Sequence, residues 1–130
     1  QAVAVDNSGN VAVTGYSYGT NGYAAYYTAK YAAADGALLW ERRYSGPANN
    51  ADEVHGLAMD GDSNAIVTGR SSNGSNDDFY TAKYAAADGA LVWEQRIANA
   101  SSLFALALAL AAGVSASGVC AAPQAILEVR

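Results

Sequence analysis

Apolar residues in this chain come in short runs broken by small polar turns. Up to Arg96 no run of about twelve or more follows the ~3.6-residue period of an amphipathic helix. The runs are rich in Val, Tyr, Thr and Trp, residues that suit a pleated, half-buried surface. They predict strands over Ala2–Val5, Asn10–Tyr16, Ala24–Tyr31 and Ala37–Tyr44. The breaks carry turn chemistry. Asp6, Asn7, Ser8 and Gly9 make one tight hairpin signal, and Asp35 with Gly36 make another, each with a glycine able to take positive φ. Both turns predict antiparallel neighbours.

The pattern then repeats. Tyr27 to Glu41 reads YTAKYAAADGALLWE and Tyr80 to Glu94 reads YTAKYAAADGALVWE, with Leu39 against Val92 the one difference. Upstream, Val11 to Gly15 (VAVTG) answers to Ala65 to Gly69 (AIVTG), and DNSGN from Asp6 answers to DGDSN from Asp60. The offset is 54 in the upstream blocks and 53 in the later one, so one residue is lost in the loop between them, where a surface loop tolerates a change of length. The four strands are therefore expected twice. The chain divides into a first repeat over residues 1–53, a second over 54–97 and a divergent Ala/Leu-rich tail over 98–130.

One four-stranded sheet cannot cover both of its faces, yet the second strand is apolar on both: Val11 and Val13 point one way and Ala12 the other. Radial stacking of such sheets covers both faces, which is the logic of a β-propeller whose ring closes with roughly four to eight blades. The alanines of the third strand and its turn suit close packing, and Trp40 and Trp93 supply a large recurrent anchor expected between blades. The expected fold is all-β: two four-stranded antiparallel propeller-type blades, a partial propeller, with an irregular or helical C-terminal tail.

Composition and charge narrow the function. At 130 residues one ordinary domain is expected, which disfavours a two-lobed enzyme with a cleft between its halves. Hydrophobic residues at 52% against 15% charged exclude a disordered chain. The net charge of −5, with scattered Lys and Arg, gives no footprint for nucleic acid or an anionic membrane surface. Cys120, the single cysteine, cannot form an internal disulfide, and with His55 the single histidine there is no Cys/His set for structural zinc. The start at Gln1, without an initiator methionine or leader, reads as an excerpt of a longer chain.

The repeat resembles the bacterial β-propeller repeat family of the SBBP type, whose pattern is a strand, DssGNvyvtG, a variable loop, a KY strand and a DGxxxW hairpin. Its carriers are Asp6, Gly9, Asn10, Thr14, Gly15, Lys30, Tyr31, Asp35, Gly36 and Trp40, then Asp60, Asn64, Thr68, Gly69, Lys83, Tyr84, Asp88, Gly89 and Trp93. The second copy departs at Ser63, where the first has Gly9, so its first turn is expected to differ in conformation. The resemblance covers Gln1 to about Arg96. It implies an extracellular, cell-surface or periplasmic protein with a binding or scaffold role and no catalytic residues or cofactors. Other propeller families fit less well: Asp35 and Gly36 are adjacent, unlike an Asp-box, and no Gly-His and Trp-Asp pairs mark a WD repeat. The rival reading is a fragment of a propeller enzyme, a hydrolase or a quinone-dependent dehydrogenase, with its catalytic groups outside this chain.

Several residues invite a chemical role. Asp6, Ser8 and Asn10, then Asp60, Asp62 and Asn64, place oxygens at the opening spacing of a calcium loop, but the closing bidentate acid is missing and such residues dominate turns anyway. Lys30 and Lys83 could bind an anion. A residue repeated inside a repeated strand more often serves the fold, here by covering apolar surface with its stem. His55 has no nucleophile in a recognisable setting, and Cys120 has no cation near it in sequence.

Loop length is the better pointer. The long connections Ser17 to Tyr23, Gly46 to Glu53 and Ser71 to Asp78 are expected to gather at one end, presenting Tyr18, Tyr23, Asn49, Asn50, Asn73, Asp77 and Asp78 to a glycan or protein ligand. In the tail, the uncharged run over 103–122 reads as a degenerate third blade or packing helix ahead of a membrane segment. Unpaired sheet edges lead to the expectation that the isolated chain associates with itself or with further blades of its parent.

Overall fold

Turn chemistry and alternation together produce eight strands in the computed structural model, which describes residues 1–98. They are β1 (Ala2–Val5), β2 (Val11–Tyr18), β3 (Ala24–Tyr31), β4 (Leu38–Tyr44), β5 (Asp52–Met59), β6 (Ala65–Ser72), β7 (Asp77–Tyr84) and β8 (Leu91–Ile97). Two four-stranded antiparallel sheets result, in the orders β1-β2-β3-β4 and β5-β6-β7-β8, with no helix among the described residues. The all-β class and the two sheets agree with the sequence reading. The tail readings beyond Ala98, including the 103–122 run and Cys120, lie outside the described residues.

Equivalent residues pair in equivalent registers. Thr14 stands opposite Thr28 as Thr68 stands opposite Thr81, and Lys30 opposite Trp40 as Lys83 opposite Trp93. The residue lost between the copies is taken from the β2–β3 connection, residues 19–23, against residues 73–76 for β6–β7. All three long loops are shorter than the sequence suggested, the third because Asp52 and Glu53 pair as the start of β5. Ser17 and Tyr18 belong to β2, and Asp77 and Asp78 to β7, because cross-strand pairs run out to Tyr18 with Ala24 and Ser72 with Asp77.

The sheets stack face to face around one apolar core. Ala12, Tyr26 and Trp40 of the first sheet pack against Val54, Leu57, Val67, Tyr80 and Tyr84 of the second. Burying such side chains contributes roughly 1.5–3 kcal/mol each for the larger ones. Trp40 lies between the sheets as expected, its Nε1 donating to the Ala86 carbonyl at 3.1 Å. Trp93 does not. Both tryptophans occupy the same face of their own sheet, and the sheets stack in the same sense, so Trp93 points away from the first sheet and packs on Ala58 and Ile66.

The turn at Ser63 also departs from expectation, because it keeps the conformation of its counterpart. Asp6 N donates to Asn10 O and Gly9 N to Asp6 O, matched by Asp60 N to Asn64 O and Ser63 N to Asp60 O. Ser63 accordingly sits at φ 64°, near the 82° of Gly9. A serine there carries the steric cost that glycine avoids. Ser63→Gly is therefore expected to raise the unfolding free energy by about 0.5–1 kcal/mol, read from the urea midpoint. A lowered midpoint would show that the Ser63 side chain contributes more than its backbone strain costs.

Candidate functional site

The tight-turn end of the structure is organised by two carboxylates. Asp6 Oδ1 accepts from the backbone N–H of Ser8 and Asn10 at 2.8 and 2.9 Å, and its Oδ2 accepts from Asn10 Nδ2 at 3.0 Å and pairs with Lys30 Nζ at 2.8 Å. Asp60 repeats the arrangement with Asp62, Asn64 and Lys83, the last at 2.6 Å. These carboxylates thus hold the hairpins and their own ammonium partners, and their lone pairs are filled by donors. Among the described residues no group of three or more His, Cys, Asp or Glu side chains is placed to hold a metal.

Lys30 does more than cover apolar surface, which was its expected role. Its side chain is only 2% exposed, and beyond Asp6 its ammonium donates to Ser63 O at 3.2 Å and Ala86 O at 3.3 Å on the second sheet. Arg42 reaches across beside it, Nε to Gly89 O at 2.7 Å and Nη2 to Asp88 O at 2.8 Å. Three side chains of the first sheet, Lys30, Trp40 and Arg42, therefore end on main-chain carbonyls of the second copy's turns. Lys83, with no such sheet beyond it among the described residues, stays 19% exposed.

Burial works to raise the Asp6 carboxyl, but the Lys30 ammonium, the Asn10 amide and the turn N–H groups outweigh it and hold Asp6 well below the usual carboxylate range. For Asp60 the same opposition, with Lys83 and Asn64 prevailing over burial, lowers the value from 3.8 to about 2.

At the opposite end Arg96 ties the sheets together. It donates to Asp78 Oδ2 at 3.1 Å, to Ser71 Oγ at 2.9 Å and across the interface to the Tyr44 hydroxyl. The Tyr44 ring stacks on Tyr80 at a centroid distance of 3.7 Å, and Tyr26 meets both edge-on. Burial and then the bond to Glu94 push the Tyr80 phenol well above its ordinary value. Burial would lower the Arg96 guanidinium, but Asp78 and Tyr44 outweigh it and raise it. None of these arginines was singled out from sequence, although the 53-residue offset that pairs Arg43 with Arg96 marks a repeated position.

The seven proposed ligand residues separate accordingly. Tyr18 and Tyr23 are exposed, at 68% and 49%, and Tyr18 lies edge-on to Tyr16 at 6.0 Å. Asn49, at φ 46°, and Asn50 are exposed on the β4–β5 connection, where Asn50 Oδ1 caps the N–H of Ala51. Asn73 spends its side chain on its own loop, accepting from Ser75 N and Asn76 N and donating to Asp78. Asp77 pairs with Arg70 at 2.8 Å, which also holds Glu53 at 2.7 Å and lowers its pKa. Asp78 is buried, so its placement on a ligand-facing surface is corrected: the β7 register turns it inward to Arg96. His55 is exposed on β5.

In comparisons with known proteins, no family model, no curated protein and no solved structure matches this chain.

Two outcomes test this account. Lys30→Met should cost about 3–5 kcal/mol, the penalty for stranding a buried charge, and Lys83→Met distinctly less, both read by chemical denaturation; equal costs would remove the inter-sheet carbonyls from the explanation. Because folding depresses both carboxyls, the unfolded chain binds more protons as acid is added. The stability they supply is complete above pH about 4 and is lost as pH falls from there through the folded values, about 2 for Asp60. The Asp6→Asn, Asp60→Asn double variant should flatten the acid limb of Tm against pH, and an unchanged limb would assign acid lability to other carboxylates.

Proposed function

We propose that this chain is a non-enzymatic β-propeller repeat module with a binding or scaffold role in a bacterial extracytoplasmic or cell-surface protein. The observation that carries the reading is the join between the two sheets. Lys30 and Trp40, which recur as Lys83 and Trp93, end on backbone carbonyls of the following copy. Main-chain carbonyls are offered by every copy whatever its side chains, so such a join suits a unit that is used repeatedly as a blade. The charged groups of the described residues are largely engaged in ion pairs and turn caps, which suits a structural and binding part better than an acid–base catalyst. The extracytoplasmic setting rests on the family resemblance.

A polar ligand, glycan or protein, is assigned to the long-loop end, where Tyr18 and Tyr23 offer flat aromatic faces and Asn49 and Asn50 offer amides. Aromatic rings exposed at a loop rim cost solvation and gain it back on contact with a ligand. The Tyr18→Ala, Tyr23→Ala double variant should lose at least about tenfold in retention on a glycan or protein array with Tm unchanged, since both side chains stand in solvent. Retention equal to the unmodified chain would remove the tyrosine rim as the binding surface, and a chain that retains nothing would be assigned to the scaffold role alone.

A further inference from the structure

We infer that residues 105–112 of this chain lie along the far face of β5–β8 as a single covering strand, in the place that β5 takes on the first sheet. This rests on the reading of the repeats as stacking units. The cover is a segment of the same chain, not a further molecule.

Burial marks the face first. Ala58, Ile66, Phe79 and Thr81 point away from the first sheet, as the alternation in β5, β6 and β7 dictates. All four are 5% exposed or less. Among the described residues no strand packs on this side, since β5 meets the first sheet through Val54, Leu57 and Met59 on its other face. A bare sheet face looks different in this protein. On the outer face of the first sheet Val3 is 67% exposed, and Val13, Tyr27 and Tyr31 are only partly buried.

The distribution of that burial has the width of one strand. The four residues belong to β5, β6 and β7, and β8 is left out. On the far side of β8 Leu91 is 51% exposed, Gln95 is exposed, and Trp93 and Ile97 are partly buried. Within the described residues β5 itself packs chiefly on β1, β2 and β3 of the first sheet. A strand set on the second sheet as β5 is set on the first therefore covers the three strands that are buried and spares the one that is not. The lysines agree: Lys30, beneath a whole sheet, is far more deeply buried than Lys83.

The sequence names the strand. β4 ends at Tyr44, and β5 opens at Asp52 after residues 45–51. Carried forward by the 53 positions that separate Tyr44 from Ile97, the connection falls on 98–104 and the strand on 105–112. That stretch reads ALALALAA, and it sets Leu110 at the position of Leu57, which β5 turns onto the first sheet. Alternation puts Leu106 and Leu108 on the side of Leu110, and Ala107, Ala109 and Ala111 on the other. The large side chains then cover Ile66 and Phe79, and the alanines are left outside. An alanine surface offers a further copy less to bury than Ile66 and Phe79 do, so the segment is a cap that ends the stack.

Thiol labelling of the full chain tests the cap. Cys120→Ser removes the native thiol and Phe79→Cys places a probe on the covered face. Val54→Cys, on the face that meets the first sheet, serves in a separate chain as the fold control. The Phe79→Cys thiol should react slowly, at a rate unchanged over about a hundredfold range of protein concentration, since a cover within the chain is independent of mass action. Leu106→Asp, Leu108→Asp and Leu110→Asp together should speed it at least about tenfold and leave Val54→Cys protected, because only local opening is needed. If the triple variant also exposes Val54→Cys, Leu108→Asp alone decides by the same criterion. A Phe79→Cys thiol that reacts as fast as an exposed one, or a rate untouched by the aspartates, would overturn the cap. Protection that grows with concentration would assign the face to a second copy and overturn it equally. Any of these results with array retention through Tyr18 and Tyr23 intact removes the cap alone and leaves the binding role standing.

Discussion

The Lys30 ammonium is the group on which the arrangement of the two sheets depends. An isolated cation withdrawn from water costs several kcal/mol, and it is tolerated here because the Asp6 carboxylate and two carbonyls of the neighbouring copy surround it. Those carbonyls come from two different turns, one after Asp60 and one after Tyr84. The second sheet must therefore present both at once, which fixes its position along and across the first. Trp40 and Arg42, on the same face, then find acceptors at Ala86, Asp88 and Gly89 of the turn after Tyr84. The apolar core supplies the attraction and the ammonium supplies the register.

The same constraint explains why the tight-turn end and the long-loop end behave differently. At the tight turns, carboxylates fold back on their own backbone and leave the next copy's carbonyls as acceptors. At the other end, Arg96 gathers Asp78, Ser71 and Tyr44 beneath the loops, so the chain there is free to vary in length and to carry exposed tyrosines. Those bonds join residues of β4, β6, β7 and β8 beneath the loops rather than the loops themselves.

Much of this was legible in the sequence. The strands follow from alternation and from turns such as Asp6–Gly9, and the one-residue difference in offset fell in the β2–β3 connection. What alternation does not encode is which face of a sheet meets its neighbour. The stacking sense turns Trp93 away from the first sheet and onto Ala58 and Ile66, a side that alternation alone does not assign. Burial of Asp78 depends on an arginine eighteen positions away, at the end of β8, a partner chosen by cross-strand register rather than by local spacing. Ser63 holds a glycine-like φ because a turn closed by Asp60 and seated under Lys30 outweighs the preference of one residue.

The near-identity of the two copies has a consequence for the order in which strands find each other. β3 and β7 both read YTAKY over their final five residues, and β4 and β8 open almost alike, so side chains barely distinguish β4 beside β3 from β4 beside β7. Within one chain, topology decides: closing a short hairpin rather than a loop several times longer favours the local partner by about 1–2 kcal/mol. Between chains that entropic advantage fades as molecules crowd together. A sequence that copies its own strands so faithfully relies on prompt local closure to keep each hairpin from being completed by a neighbour.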